Sequence, residues 1–167
     1  HDLRPVMRVS KDEGETFSKA VYCINYPGYF VVNNDRVRQL SNGRIFIPAA
    51  YHRCLTPDPI AWQSFNGKGV ARFFYSDDMG ESFLESPDFG SLNVSGGTGL
   101  QEPGIVEIEE GHLFCYARTD LGCQYTSNSN DYGMTWEPFK SSDFASPVSP
   151  LSIKKIPGTE IYIAVYN

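Results

Sequence analysis

Apolar residues along the chain come in short runs, alternating or continuous, each closed off by Gly, Asn, Asp or Pro. A helical period is almost absent, so the pattern predicts an all-β chain of short strands and tight turns. The strongest pair of runs is 104–108 and 112–118, with Gly111 between them able to take the positive φ that hairpin turns need. A hairpin returns the chain to where it began. Glu102, just before the first strand, and Arg118, at the end of the second, are therefore expected at one rim of the sheet. A carboxylate and a guanidinium there either hold an anionic ligand or form a structural ion pair, and the hairpin alone favours neither.

Two repeats run through this pattern. An octet, Ser-x-Asp-x-Gly-x-Thr/Ser-aromatic, occurs at Ser10–Phe17, Ser76–Phe83 and Ser129–Trp136. In each, the Asp carboxylate can accept backbone N–H bonds of a turn, the Gly takes the left-handed position, and the hydroxyls tie the ends. The closing aromatic is expected to bury itself under the next sheet. Regular repetition makes Asp12, Asp78 and Asp131 structural residues rather than catalytic ones. The hairpin recurs as well: Asn34–Ala50 superimposes on it by placing Gly43 on Gly111, which sets Asn34 opposite Glu102, and Ser152–Asn167 is a third copy.

Hairpin, third strand, octet and fourth strand make a four-stranded propeller blade. Residues 1–167 read as a single partial propeller domain, with a half-blade over 5–23, blades over 30–85 and 102–141, and a half-blade over 150–167. That is about three blades' worth, short of the roughly four to eight that close a ring. Exposed strand edges at both ends favour pairing with something else. The segment 54–68 is a long insertion, expected as a loop over a blade end.

Composition adds exclusions. With 41% hydrophobic and 14% aromatic residues the chain is globular rather than disordered, and its net charge of −6 argues against nucleic acid as a partner. No apolar run approaches the roughly 20 residues of a membrane-spanning helix, and the first residues do not read as a leader peptide. The four cysteines, Cys23, Cys54, Cys115 and Cys123, have no metal-ligand spacing. Cys115 and Cys123 flank a short connection and could face each other; free buried thiols are the favoured reading. No ligand cluster calls for calcium, and neither metal nor cofactor is expected.

The octets resemble the Asp boxes, or BNR repeats, of the sialidase superfamily, and residues 102–118 resemble the sialidase stretch that carries an active-site glutamate and one arginine of the substrate-binding triad. The segments Asn33–Ala49 and Ser149–Asn167 resemble the inner hairpins of the blades before and after, so the resemblance covers practically the whole chain. It implies a six-bladed β-propeller when complete, of which this chain is a central portion. It also implies an exo-acting glycoside hydrolase that cleaves terminal sugars, sialic acid among them, from glycans.

In that family three arginines clamp the substrate carboxylate. A tyrosine is the nucleophile, a glutamate is its base, and a separate aspartate is the acid/base. The resemblance makes Glu102 the tyrosine's base and Arg118 the second arginine. The remaining arginines, the tyrosine and the aspartate do not transfer to this chain, which is expected to be inactive alone. Arg36, Asp35, His52, Asp120 and Gln124 stand at expected inner-strand ends, and Arg36, Asp35 and Gln124 join the candidate substrate-binding set. For Arg36 and His52 a structural role weighs equally, and His112, in the hairpin turn on the opposite rim, is expected to be solvent-exposed.

The family suggests a secreted or periplasmic setting. The alternative reading is a carbohydrate-binding or interaction propeller without chemistry. The complementary half-blades suggest either a homodimer completing the ring or the remainder of a longer chain.

Overall fold

The computed structural model describes residues 2–56 and 64–167. Its described residues form strands joined by turns, in four antiparallel sheets that follow one another along the chain. The first is a two-stranded ribbon of β1 (Val6–Met7) and β2 (Val21–Tyr22). The second contains β3 (Tyr29–Val31), β4 (Arg38–Gln39), β5 (Ile45–Cys54), β6 (Phe65–Ser76) and β7 (Leu84–Glu85). In it β3 and β4 both pair with β5, so they share one edge of the sheet as two pieces of one interrupted strand. The third is a four-stranded meander of β8 (Gln101–Glu109), β9 (His112–Arg118), β10 (Cys123–Ser129) and β11 (Lys140–Ala145). The last pairs β12 (Ser152–Lys155) with β13 (Tyr162–Val165).

Each sheet packs its face on the next, and the core is correspondingly in three parts. Cys23 and Ile24 meet Phe30, Ile47, Ala49, Phe74 and Phe83 between the first and second sheets. Leu40, Phe46, Phe73 and Tyr75 meet Ile105, Leu113, Cys115 and Phe139 between the second and third. Val106 and Tyr116 meet Leu151 and Ile153 between the third and fourth. Antiparallel sheets stacked face to face in chain order are the arrangement of propeller blades. The all-β propeller expectation is met.

The octets fold as their residue types require. In the first, Ser10 Oγ donates to Asp12 Oδ1 (2.7 Å), Gly14 N donates to Ser10 Oγ (2.8 Å) and Thr16 N donates to Asp12 Oδ1 (2.9 Å). The same three bonds recur at Ser76, Asp78, Gly80 and Ser82, and again at Ser129, Asp131, Gly133 and Thr135. Each turn takes two successive left-handed residues, ending on Gly14, Gly80 and Gly133. Two of the closing aromatics, Phe83 and Trp136, however, pack on the preceding sheet rather than the next. Trp136 stacks on Phe73 of β6 with ring centroids 4.3 Å apart, and Phe83 is 3% exposed in the cluster shared with the first sheet. The turn leaves the outer rim and folds back over the sheet already laid down, which the sequence pattern cannot reveal.

These carboxylates are tied down enough to affect the acid limb of stability. The Thr16 hydroxyl holds Asp12 at a pKa of about 2, and the Ser82 hydroxyl does the same for Asp78. A folded pKa below the unfolded value means that the stabilisation is present above the unfolded pKa and is lost as pH falls through the folded one. The thermal midpoint is therefore expected to drop between about pH 4 and pH 2, and Asp78→Asn to flatten part of that drop. A scan in which the variant keeps the full wild-type slope would contradict this role.

Other expectations are revised. Residues 32–37 leave the sheet between β3 and β4, so Asn34–Ala50 is not a continuous hairpin copy. The expected insertion loop is shorter than 54–68, because Phe65–Lys68 belong to β6 and Cys54 pairs with Phe65; residues 57–63 lie outside the described residues. None of the four cysteines is in a disulfide; Cys23 and Cys115 are buried and Cys54 and Cys123 half-buried. Cys115 sits opposite Ser127 and Cys123 opposite Ala145, so the two thiols are not cross-strand partners. No helix among the described residues is long and apolar enough to cross a membrane.

Candidate active site

The central hairpin is longer than its apolar pattern. Pairing of Gln101 with Arg118 and of Gly104 with Tyr116 leaves Glu102 and Pro103 opposite Ala117, a β-bulge inside β8. Glu102 thus lies within the strand rather than before it, and the bulge gives it a positive φ of 49°. Among the described residues the other non-glycine positive-φ positions are in turns and connections. Such a conformation costs on the order of 1–3 kcal/mol and persists where surroundings impose it. Gly111 takes its expected positive φ of 76° at the far end of the hairpin.

At the rim Arg118 Nε lies 3.5 Å from Glu102 Oε2. Arg118 also donates through Nη2 to Gln101 Oε1 and through Nη1 to Val148 O (3.4 Å), and Gln101 Nε2 donates to Gly67 O (2.9 Å). Despite this anchoring, Glu102 Oε2 and Arg118 Nε are both shielded from solvent without a hydrogen-bond partner. Leaving a buried polar atom unsatisfied costs about 1–3 kcal/mol. A strained carboxylate and an anchored guanidinium, each with an unused polar atom, are suited to groups from a ligand.

These residues form one wall of a cleft of about 140 Å³ that is also lined by Tyr29, Val31, Ala50, His52 and Phe65. The opposite wall comes from β3, β5 and β6, because Tyr29 sits opposite His52 in the register and Phe65 lies beside them across the β5–β6 pair. The Tyr29 and Phe65 rings stack with centroids 4.6 Å apart, and the His52 ring meets both edge-on. His52 is 5% exposed, with Nδ1 3.0 Å from Asn66 O. Burial and the nearby Arg118 charge lower its pKa, which favours a neutral imidazole. The cleft therefore combines a polar side that can read a carboxylate and hydroxyls with an aromatic side that can take the apolar face of a sugar.

The other sequence candidates stand elsewhere. Arg36 is 3% exposed beneath the third sheet, donating to Tyr116 Oη (3.3 Å) and Leu151 O (3.0 Å), with its guanidinium over the Tyr116 ring. Asp35 pairs with Lys154 and with Arg38, and the bond from Lys154 lowers its pKa. Gln124 is buried at the start of β10, donating to Ser146 Oγ (3.1 Å) and Ser149 O (2.7 Å), with Oε1 unpartnered. Asp120 accepts from Gly97 N (2.7 Å) and Thr98 Oγ1 (3.1 Å); the Gly97 bond lowers its pKa and the pair pins the loop ahead of β8.

His112 is half-buried with Nε2 3.2 Å from Asn128 Oδ1, not the exposed turn residue expected. Gln101, Tyr29 and Phe65 were not singled out in the sequence. Register opposite Arg118 is the signal that points to Gln101, whereas Tyr29 and Phe65 meet only through the second sheet. Among the described residues no three His, Cys, Asp or Glu side chains cluster as metal ligands do.

The family described as the BNR repeat-like domain matches residues 2–167. In structure the chain is similar to a Hadza microbial sialidase (TM-score 0.67, 19% identity, 91% of this chain and 28% of that one). It is similar to a Streptococcus pneumoniae sialidase (0.66, 20%, 95% and 23%). It is also similar to an intramolecular trans-sialidase from Ruminococcus gnavus (0.64, 26%, 89% and 29%). The chain thus spans between 23% and 29% of the length of these structures. No curated protein matches the sequence.

Proposed function

The chain belongs to the BNR repeat-like domain family, and from that premise we propose that it supplies one sector of a sialidase-like exo-glycoside hydrolase site. The observation that carries the reading is the Glu102–Arg118 pair, strained and incompletely satisfied on one wall of a cleft. In the proposed role Arg118 binds the carboxylate of a terminal acidic sugar by charge-assisted hydrogen bonds. Glu102 acts as the base that takes the proton of a tyrosine nucleophile. That tyrosine, two further arginines and an acid/base aspartate come from blades outside this sector. His52, Tyr29 and Phe65 shape the wall facing the sugar.

In a propeller completed by those blades, Glu102→Gln is expected to stop release of terminal sialic acid from a glycan while leaving the melting midpoint unchanged. Unimpaired turnover in that variant rejects the assignment.

A second reading, a glycan-binding propeller without chemistry, is favoured by the extent to which Arg118 is already held, by Gln101, Glu102 and Val148. Under it, sialylated glycans bind and mass spectrometry finds no released sugar.

A further inference from the structure

Opposite the charged wall of the cleft stands a polar side chain whose direction of hydrogen bonding is fixed by its own sheet. His52 and Asn66 lie on the neighbouring strands β5 and β6, with His52 Nδ1 3.0 Å from Asn66 O. A carbonyl oxygen only accepts, so Nδ1 carries the proton. The carbonyl is itself held in place. Lys68 N donates to Asn66 Oδ1 (3.0 Å), and Gln101 Nε2 donates to Gly67 O (2.9 Å), which ties this start of β6 to the facing wall.

A second proton, on Nε2, would make the ring a cation. Burial at 5% exposure and the guanidinium of Arg118 oppose that charge. The carboxylate of the same cleft, Glu102, is paired with Arg118 rather than with the ring. Tyr29 and Phe65 meet the imidazole in edge-to-face contact, with centroids 5.8 and 5.7 Å away. His52 is thus a neutral ring whose Nε2 can accept a hydrogen bond and cannot donate one. Among the described residues the ring has no hydrogen-bond partner other than Asn66 O. The two nitrogens point in diverging directions, so with Nδ1 turned to β6 it is Nε2 that the ring can offer to the cleft it lines.

On the facing wall Arg118 keeps an unused donor at Nε, while Gln101 is engaged at both ends, by Arg118 and by Gly67 O. A ligand that satisfies both walls needs an acceptor on the Arg118 side and a donor on the His52 side. We propose that His52 sets the specificity of the cleft by accepting, at Nε2, a hydrogen bond from one hydroxyl of the bound sugar. The inference rests on the reading of this cleft as a sugar site and is independent of how Glu102 acts. Tyr29 and Phe65 contribute by shielding the ring: an acceptor left unmet in a shielded site is costly, which turns a single hydroxyl into a condition for binding.

Nitrogen NMR of the 167-residue protein with isotope-labelled histidine tests it at neutral pH, His52→Phe identifying the His52 signals among those of the three histidines. The free protein is expected to show a protonated Nδ1 and an unprotonated Nε2. N-acetylneuraminic acid should move the Nε2 resonance in the direction of a nitrogen that accepts a hydrogen bond. Among its singly deoxygenated derivatives, one should bind roughly 10- to 100-fold more weakly and leave Nε2 at its free position. In His52→Phe, which keeps an aromatic ring at the site, that derivative and the parent sugar are expected to bind equally.

The methyl ester of the sugar separates the two readings. An ester that binds as well as the acid and still moves Nε2 would remove the carboxylate role of Arg118 and support that of His52. Nε2 unmoved by every sugar would overturn the His52 assignment whether or not Arg118 responds. A free protein with the proton on Nε2, or uniform affinity across the deoxygenated series, would overturn it as well.

Discussion

Replacing Phe73 with alanine is expected to destabilise the chain by about 3–5 kcal/mol, the range for truncating a fully buried phenylalanine. Phe73 is 0% exposed, lies in the middle of β6, and is the surface on which Trp136 stacks. Its ring also lies 5.9 Å from that of Phe46, so the truncation removes the floor of the interface between the second and third sheets. A shift in the urea midpoint measures the loss, and Trp136 fluorescence reports it locally. A cost below about 1 kcal/mol, outside the range for a large buried cavity, would mean that the two sheets are not held together at this point.

The second large effect concerns the cleft. Arg118→Ala is expected to weaken binding of an acidic sugar by roughly 10- to 100-fold, because hydrogen bonds to charged groups contribute about 1.5–3 kcal/mol and each 1.4 kcal/mol is tenfold. Fold stability should change little, since the side chain is partly exposed and its ion pair with Glu102 is long, at 3.5 Å. Arg36→Lys should show the reverse pattern. It disturbs the contacts to Tyr116 and Leu151 that join the third and fourth sheets and leaves the cleft alone. Isothermal titration with N-acetylneuraminic acid, run beside a denaturation curve for each variant, separates the two arginines. Equal affinity for wild type and Arg118→Ala would remove Arg118 from the binding role.

The local half of this architecture is legible in the sequence. Each octet carries its own bonding instructions: a serine, an aspartate, a glycine and a hydroxyl at fixed spacing close the same turn wherever they occur. The hairpin turn at Gly111 and the juxtaposition of Glu102 with Arg118 follow equally from spacing. Contacts between sheets are less accessible, because they depend on where a turn leans after it has formed. Phe83 and Trp136 therefore cover the preceding sheet against expectation.

The same limit applies to the site. Arg36, Asp35 and Gln124 stand near strand ends in the sequence, but strand-end position does not fix direction. The excursion of residues 32–37 turns Arg36 toward Tyr116 and leaves Asp35 beside Lys154. Conversely, His52 reaches the cleft because Tyr29 extends the interrupted edge strand and pairs with it. Nothing in the local pattern around His52 marks that partner.

The proposed role of the Glu102–Arg118–His52 cleft is to read the carboxylate of a sugar. The most direct measurement follows the Arg118 Nε–H and His52 ring resonances by NMR while N-acetylneuraminic acid is titrated in, and then repeats the titration with its uncharged methyl ester. The acid is expected to shift both signals along one saturating curve and the ester to shift Arg118 little. Equal shifts from acid and ester, or saturation at residues away from the cleft with both signals unmoved, would contradict it.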